Sequence, residues 1–180
     1  LPLVVTEFAV AGGGEARVGL AVAELLIFYA QVGVAAACQR LALEEVEAAP
    51  WLAPLRLVAE HLLERAAPIE LVKQVRKDMS VGTRTIEVPL VHAAAFVDPD
   101  GGAGSLVLLH RDGAASRVLT IDVPEDWTAT AGAQWAPPTP DHDARRQPVA
   151  PEALAWAQEG ARVQVTLRPH SLAALKFAAP

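Results

Sequence analysis

The feature that most constrains this chain is a change of apolar period at Pro68. Before it, short apolar runs alternate with segments of helical spacing. Residues 3–8 read as a strand, from the apolar and β-branched run Leu3-Val4-Val5-Thr6 into Glu7 and Phe8. Residues 17–31 place Val18, Val22, Leu25, Leu26 and Tyr29 at helical spacing, and Glu15 stands near the helix start, where a negative charge suits the dipole. Gly33 ends that helix, and 34–38 is a second wholly apolar run. Pro50 precedes a second helix expected over 51–66, with Leu55, Val58 and Leu62 on one stripe, and Pro68 closes it. The order β-α-β-α implies a parallel strand pair with its helices on one side.

After Pro68 the period is two. Ile86, Val88, Leu90 and Phe96 alternate with polar or small neighbours, and the same holds for Leu119, Ile121 and Val123 and for Val163, Val165 and Leu167. Turn chemistry at Asp98–Gly102, Arg111–Gly113 and Pro169–Ser171 divides these runs. Several short strands separated by such turns predict an antiparallel β-sandwich. Its expected inward face includes Ile86, Val88, Leu90, Val163, Val165, Leu167 and Leu175. The proline-rich stretch 136–151 reads as an irregular loop. The expected division is 1–68 and 69–180, an α/β part followed by an all-β part.

Composition removes several function classes. A net charge of −6 without a basic patch argues against a nucleic-acid partner. No apolar stretch reaches the roughly 18 residues that span a bilayer, because Glu24, Gln31 and Arg40 interrupt the richest region, so no membrane partner is expected. Hydrophobic residues make up 52%, which suggests that some apolar surface belongs against further structure. Cys38 alone cannot form a disulfide framework. Gly12-Gly13-Gly14 lacks both the following Lys-Ser/Thr and the G-x-G-x-x-G spacing of a nucleotide site. Asp141-His142-Asp143 reads as a solvated loop, and no metal or cofactor is expected. His61 and His92 are assigned to packing interfaces. Trp127, Trp135 and Trp156 could stack on sugar rings, but core packing is the expected role for at least two of them. The compartment is not readable from the sequence.

The residue that carries chemistry is Glu7. It closes a buried-strand pattern and precedes a glycine-rich turn, the position at which α/β barrels carry catalytic groups. Its competing role is a helix-entry or surface glutamate. Gln39 and Arg40, at the end of the second strand, are weaker candidates for lining the same site.

Four stretches carry a family resemblance. Val5-Thr6-Glu7-Phe8 looks like the end of a seventh barrel strand bearing a nucleophilic glutamate in an Asp-Glu-Trp-Asn-like motif, with Thr6 and Ala9 in place of its acid and its asparagine. Val88-Pro89-Leu90-Val91-His92-Ala93-Ala94-Ala95 resembles a first long sandwich strand after the barrel. Leu106 to His110 stands where a strand ends in Asn-Arg, and Leu167-Arg168-Pro169-His170-Ser171 with Leu175 is similar to a closing leucine-x-proline-x-serine hairpin. Together they resemble the C-terminal end of glycoside hydrolase family 51, the α-L-arabinofuranosidases; families 39 and 30 of the same retaining clan also place a glutamate after the seventh strand.

The resemblance implies the last two βα units of a (β/α)8 barrel followed by an antiparallel β-sandwich. It implies a chain that begins partway through a larger protein, whose substrate is an arabinose-containing polysaccharide or oligosaccharide. Glu7 would be the nucleophile of a retaining hydrolase, and the acid/base carboxyl would come from a fourth strand outside these residues. Glu44, Glu45 and Glu47 read as loop carboxylates. The 180 residues alone are therefore expected to be inactive. A homo-oligomer of the full-length enzyme is left open. The alternative is a non-catalytic carbohydrate-binding or structural β-sandwich.

Overall fold

The structure, a computed structural model, describes residues 3–8, 15–39, 52–81, 83–139, 142 and 149–180. It opens with β1 (Leu3–Phe8), α1 (Glu15–Gln31), β2 (Val34–Gln39) and α2 (Leu52–Ala59). Then come β3 (Arg65–Ala67), β4 (Arg76–Val81), β5 (Arg84–Pro89), β6 (Val91–Val97), β7 (Ala103–His110), β8 (Arg117–Asp122) and β9 (Thr128–Trp135). The chain closes with β10 (Glu152–Ala153), β11 (Ala155–Glu159), β12 (Arg162–Leu167) and β13 (Ser171–Ala178).

Strands β1 and β2 pair in parallel, as the apolar runs on either side of α1 predict. Gly33, at φ 76°, ends α1 in the left-handed conformation that a side chain would resist, with its N–H on the Ala30 carbonyl at 3.3 Å. The second helix is shorter than expected and stops at Ala59 instead of 66. Arg65–Ala67 instead pairs antiparallel with Val97–Ala95 of β6, so the tail of the predicted helix becomes an edge strand. The division expected at 68 thus falls after a strand that already belongs to the sandwich sheet.

The sandwich has a six-stranded sheet, ordered β10-β9-β13-β7-β6-β3, and a three-stranded sheet, ordered β11-β12-β8. Burial explains why the two differ in sequence. Strand β12 alternates exposed and buried because one face meets solvent, with Val163, Val165 and Leu167 turned inward. Strands β6, β7 and β13 are apolar on both faces because both faces are covered. Leu106 and Leu108 of β7, with Ala173, Leu175 and Phe177 of β13, pack against the smaller sheet. The alternate residues Val107, Leu109, Leu172 and Ala174 form a second core with Leu20, Ala23 and Ile27 of α1 and Leu57 and Val58 of α2. The molecule is layered as helices, central sheet and small sheet. Each fully buried leucine contributes about 1.5–3 kcal/mol to holding the layers together.

Three expectations about the sandwich are corrected. The run from Ile86 to Phe96 is not one strand. It breaks at Leu90, because Pro89 has no N–H to continue a ladder, and the chain changes partner there. Before the break β5 pairs, among the described residues, with β4 alone; after it β6 pairs with β7. Ile86, expected inward, is consequently 45% exposed on that two-stranded hairpin, and Val88 is only half-buried. The other five expected inward residues are buried. Finally, Leu167–Ser171 is no hairpin. It is an arch that carries the chain from β12 in one sheet to β13 in the other. His170 takes φ 51° at its apex and donates its N–H to the Asp112 carbonyl at 2.8 Å. The Arg168 carbonyl accepts from Ser171 Oγ at 2.7 Å and from His110 Nδ1 at 2.8 Å, which ties the arch to the end of β7.

Gly104 of β7 lies under the indole of Trp127, and a Cβ there would sit 1.9 Å from Trp127 Cζ3. Trp127 is itself stacked at a tilt on Phe177, centroids 6.4 Å apart. Gly104→Ala is expected to destabilise the fold by about 1–3 kcal/mol through overpacking, read as a lower denaturant midpoint at unchanged slope. An unchanged midpoint would show that the indole moves aside freely.

Candidate active-site strand pair

Glu7 is the penultimate residue of β1 and Gln39 the last of β2. The parallel pairing brings both to the C-terminal ends of neighbouring strands, with Phe8 opposite Gln39. Ladder partners run Val5 to Ala37 and then Phe8 to Gln39, so β1 takes three steps where β2 takes two. The extra residue is a bulge at Thr6–Glu7. Such bulges re-aim a side chain at the end of a ladder and are enriched beside active sites. An irregularity of the opposite sense occurs between Leu3 and Val4. Arg40, Glu44, Glu45, Glu47 and Gly12–Gly14 lie outside the described residues, as do Asp141 and Asp143. Among the described residues no group of three or more His, Cys, Asp or Glu side chains could hold a metal ion, and no helix is long and apolar enough to cross a membrane.

What fixes this pair relative to the sandwich is α1, the helix joining the two strands. Beside its apolar packing it carries a polar clasp that sequence reasoning did not foresee. Glu24 and Gln31 lie seven residues apart, two turns along one face, and His92 of β6 sits between them. His92 Nδ1 is 3.2 Å from Glu24 Oε1, and Nε2 is 3.1 Å from Gln31 Oε1. Gln31 Nε2 donates to the Ala93 carbonyl at 3.4 Å. Arg111, just after β7, forms an ion pair with Glu24, its Nε 3.4 Å from Oε2, and donates from Nη1 to the Pro89 carbonyl at 2.5 Å. The available signal was the same Glu24 and Gln31 that interrupt the apolar stretch. A charge on an otherwise buried helix face requires a partner.

Burial lowers the pKa of His92 and also that of the Arg111 guanidinium. A second histidine joins the layers beyond α2. His61 is 5% exposed, its Nδ1 2.7 Å from the Leu57 carbonyl, and its own carbonyl accepts from Ser105 Oγ of β7. Burial is the largest cause lowering the His61 pKa; Lys176 lowers it further, while the Leu57 carbonyl and Glu60 raise it. Both histidines are packing residues, as their sequence contexts suggested. Trp135 is fully buried in the helix–sheet core and donates to the Val149 carbonyl at 3.0 Å, and Trp127, partly buried, packs against the core between the sheets. Trp156 stays 37% exposed beside Gly132.

A groove of about 440 Å³ opens elsewhere, between the sheets under residues 68–74. Leu106, Leu108, Leu119 and Ile121 line it, not the strand ends of the parallel pair.

This arrangement, a parallel βα pair leading into an antiparallel sandwich, is the fold of a region of glycoside hydrolases. The chain superposes on the family 51 arabinofuranosidase from Xanthomonas axonopodis pv. citri with a TM-score of 0.73 at 20% identity, over 98% of this chain and 41% of that one. A family 51 α-L-arabinofuranosidase from Bifidobacterium longum gives 0.74 at 18% identity, over 92% and 36%. A bifunctional glucanase-xylanase from a metagenome library gives 0.68 at 14% identity, over 99% and 31%. The chain thus spans about two fifths of the length of the arabinofuranosidases it matches. The resemblance to family 51 read from the four sequence stretches is found again in the fold. No family model matches the chain, and no curated protein matches it in sequence.

Proposed function

We propose that this chain is the C-terminal part of a retaining glycoside hydrolase, an α-L-arabinofuranosidase acting on arabinose-containing polysaccharides or oligosaccharides. Residues 1–68, apart from the sandwich edge strand β3, are read as the last two βα units of a (β/α)8 barrel and 69–180 as its sandwich. The observation that carries the reading is the position of Glu7, on a bulge at the C-terminal end of a strand in a parallel pair, within a fold shared with family 51 enzymes. Glu7 is the nucleophile; Gln39 and Arg40 line the sugar site.

A retaining enzyme needs two carboxyl groups about 5–5.5 Å apart. One attacks the anomeric carbon, and the other protonates the leaving oxygen and then activates water. The second carboxyl comes from a strand outside these residues, so the 180-residue chain alone should not hydrolyse an aryl arabinofuranoside. The full-length protein should, releasing arabinose with its anomeric configuration retained, as followed by proton NMR of the first-formed product. Inverted product, or no hydrolysis by the full-length protein, would remove the proposal. The non-catalytic sandwich reading would then be tested by binding to arabinan.

A further inference from the structure

We propose that the outer edge of β5 is an interaction surface that pairs antiparallel with the same edge of a second copy of this chain. Among the described residues β4 and β5 form a two-stranded sheet with no third strand. A hairpin of this kind gains little from its own ladder and leaves its edges open to pairing. The phase of the ladder decides which groups β5 turns outward. Leu90 N–H donates to the Val75 carbonyl at 2.9 Å, so Val75 and Leu90 form a pair of the hydrogen-bonded kind. The kinds alternate along an antiparallel ladder, so Val88 with Lys77 and Ile86 with Met79 repeat it. Thr85, Glu87 and Pro89 fall in the other kind and turn their backbone groups outward. Pro89 suits that phase because it has no N–H to give, and its carbonyl already accepts from Arg111 Nη1 at 2.5 Å. Among the described residues, the ladder groups left open on this edge are the N–H and C=O of Thr85 and Glu87, both exposed.

A two-fold axis at Ile86 satisfies all of these groups at once. It sets Thr85 of each copy opposite Glu87 of the other, so every outward N–H meets an outward C=O and the hairpins join into one sheet. Ile86, 45% exposed, then meets its own counterpart in a close pair of the non-hydrogen-bonded kind. Charge agrees with this register. Arg84 falls opposite Val88 and Glu87 opposite Thr85, so no like charges face each other. An axis at Glu87 would set that carboxylate against itself, and one at Thr85 would leave Glu87 opposite the turn residue Thr83. The outer edge of β4 is the poorer partner, because Arg76, Lys77 and Asp78 follow one another there and such charges blunt an edge.

Sedimentation velocity of the full-length protein tests this, with association and not hydrolysis as the readout. The unaltered protein should show a concentration-dependent dimer, transient because the contact is small. Ile86→Lys and Ile86→Glu each set like charges face to face across the axis and should abolish that dimer. Mixing the two variants sets opposite charges face to face and should restore it as a heterodimer. A protein that stays monomeric up to about 0.1 mM overturns the proposal. So do a dimer that both variants retain and a mixture that does not associate. If a variant fails to fold, amide exchange in the unaltered protein decides. Thr85 and Glu87 amides protected at high concentration and released on dilution support the pairing. Amides open at every concentration overturn it. Amides protected at every dilution overturn it too, because another part of the same chain then covers the edge.

Discussion

Glu7→Ala in the full-length enzyme should lower kcat on an aryl arabinofuranoside by on the order of 10⁴-fold or more, with the fold intact. The magnitude follows from the role assigned. Without the carboxylate no glycosyl-enzyme intermediate forms, so the faster two-step route is closed. Azide should restore turnover and yield a glycosyl azide of inverted configuration. The small anion fills the space the carboxylate vacates and attacks the same face once, instead of the two attacks of the native cycle. Far-UV circular dichroism should be unchanged, since Glu7 lies where β1 bulges out of its ladder. Substitution of Glu44 or Glu45, which have no chemical step, should cost far less. Near-normal turnover by Glu7→Ala would take Glu7 out of the mechanism.

Trp135→Ala should cost about 3–5 kcal/mol of stability. Trp135 is fully buried on the face of the central sheet that meets the helices, in one core with Leu20, Ile27, Leu57 and Val58. Truncation removes the largest of the fully buried side chains among the described residues and leaves a cavity at the layer contact. It also leaves the Val149 carbonyl without its indole donor. Val118→Ala, on a 62% exposed side chain, should stay within about 0.5 kcal/mol. Urea midpoints for the two variants at equal slope make the comparison; similar midpoints would show that the helical layer is not bound through this core.

Much of the fold is legible residue by residue. The runs 3–8 and 34–38 flanking a helical stripe require a parallel pair, and that pair is present. The alternation of Val163, Val165 and Leu167 requires one buried face, and all three are buried. The run Leu106–Leu109 departs from alternation because helices cover its second face, a fact its own composition states. The end of α2, the break at Pro89 and the arch at Pro169 were misjudged for one reason. Each depends on which distant strand the chain pairs with, and helical or alternating spacing carries no information about partners.

The candidate site divides in the same way. Local pattern by itself determined that Glu7 stands near the end of a strand and that a helix follows. Only the tertiary structure decided that the ladder of β1 is irregular at Thr6–Glu7 and that Glu24, Gln31, His92 and Arg111 meet. Glu24 and Arg111 are 87 residues apart, and Glu24 and His92 are 68 apart. A period of 3.6 or 2 reports which face of an element is buried, because burial acts on each side chain where it stands. It cannot report what that face is buried against, because the choice is made by whole layers whose packing sums over many weak contacts at once.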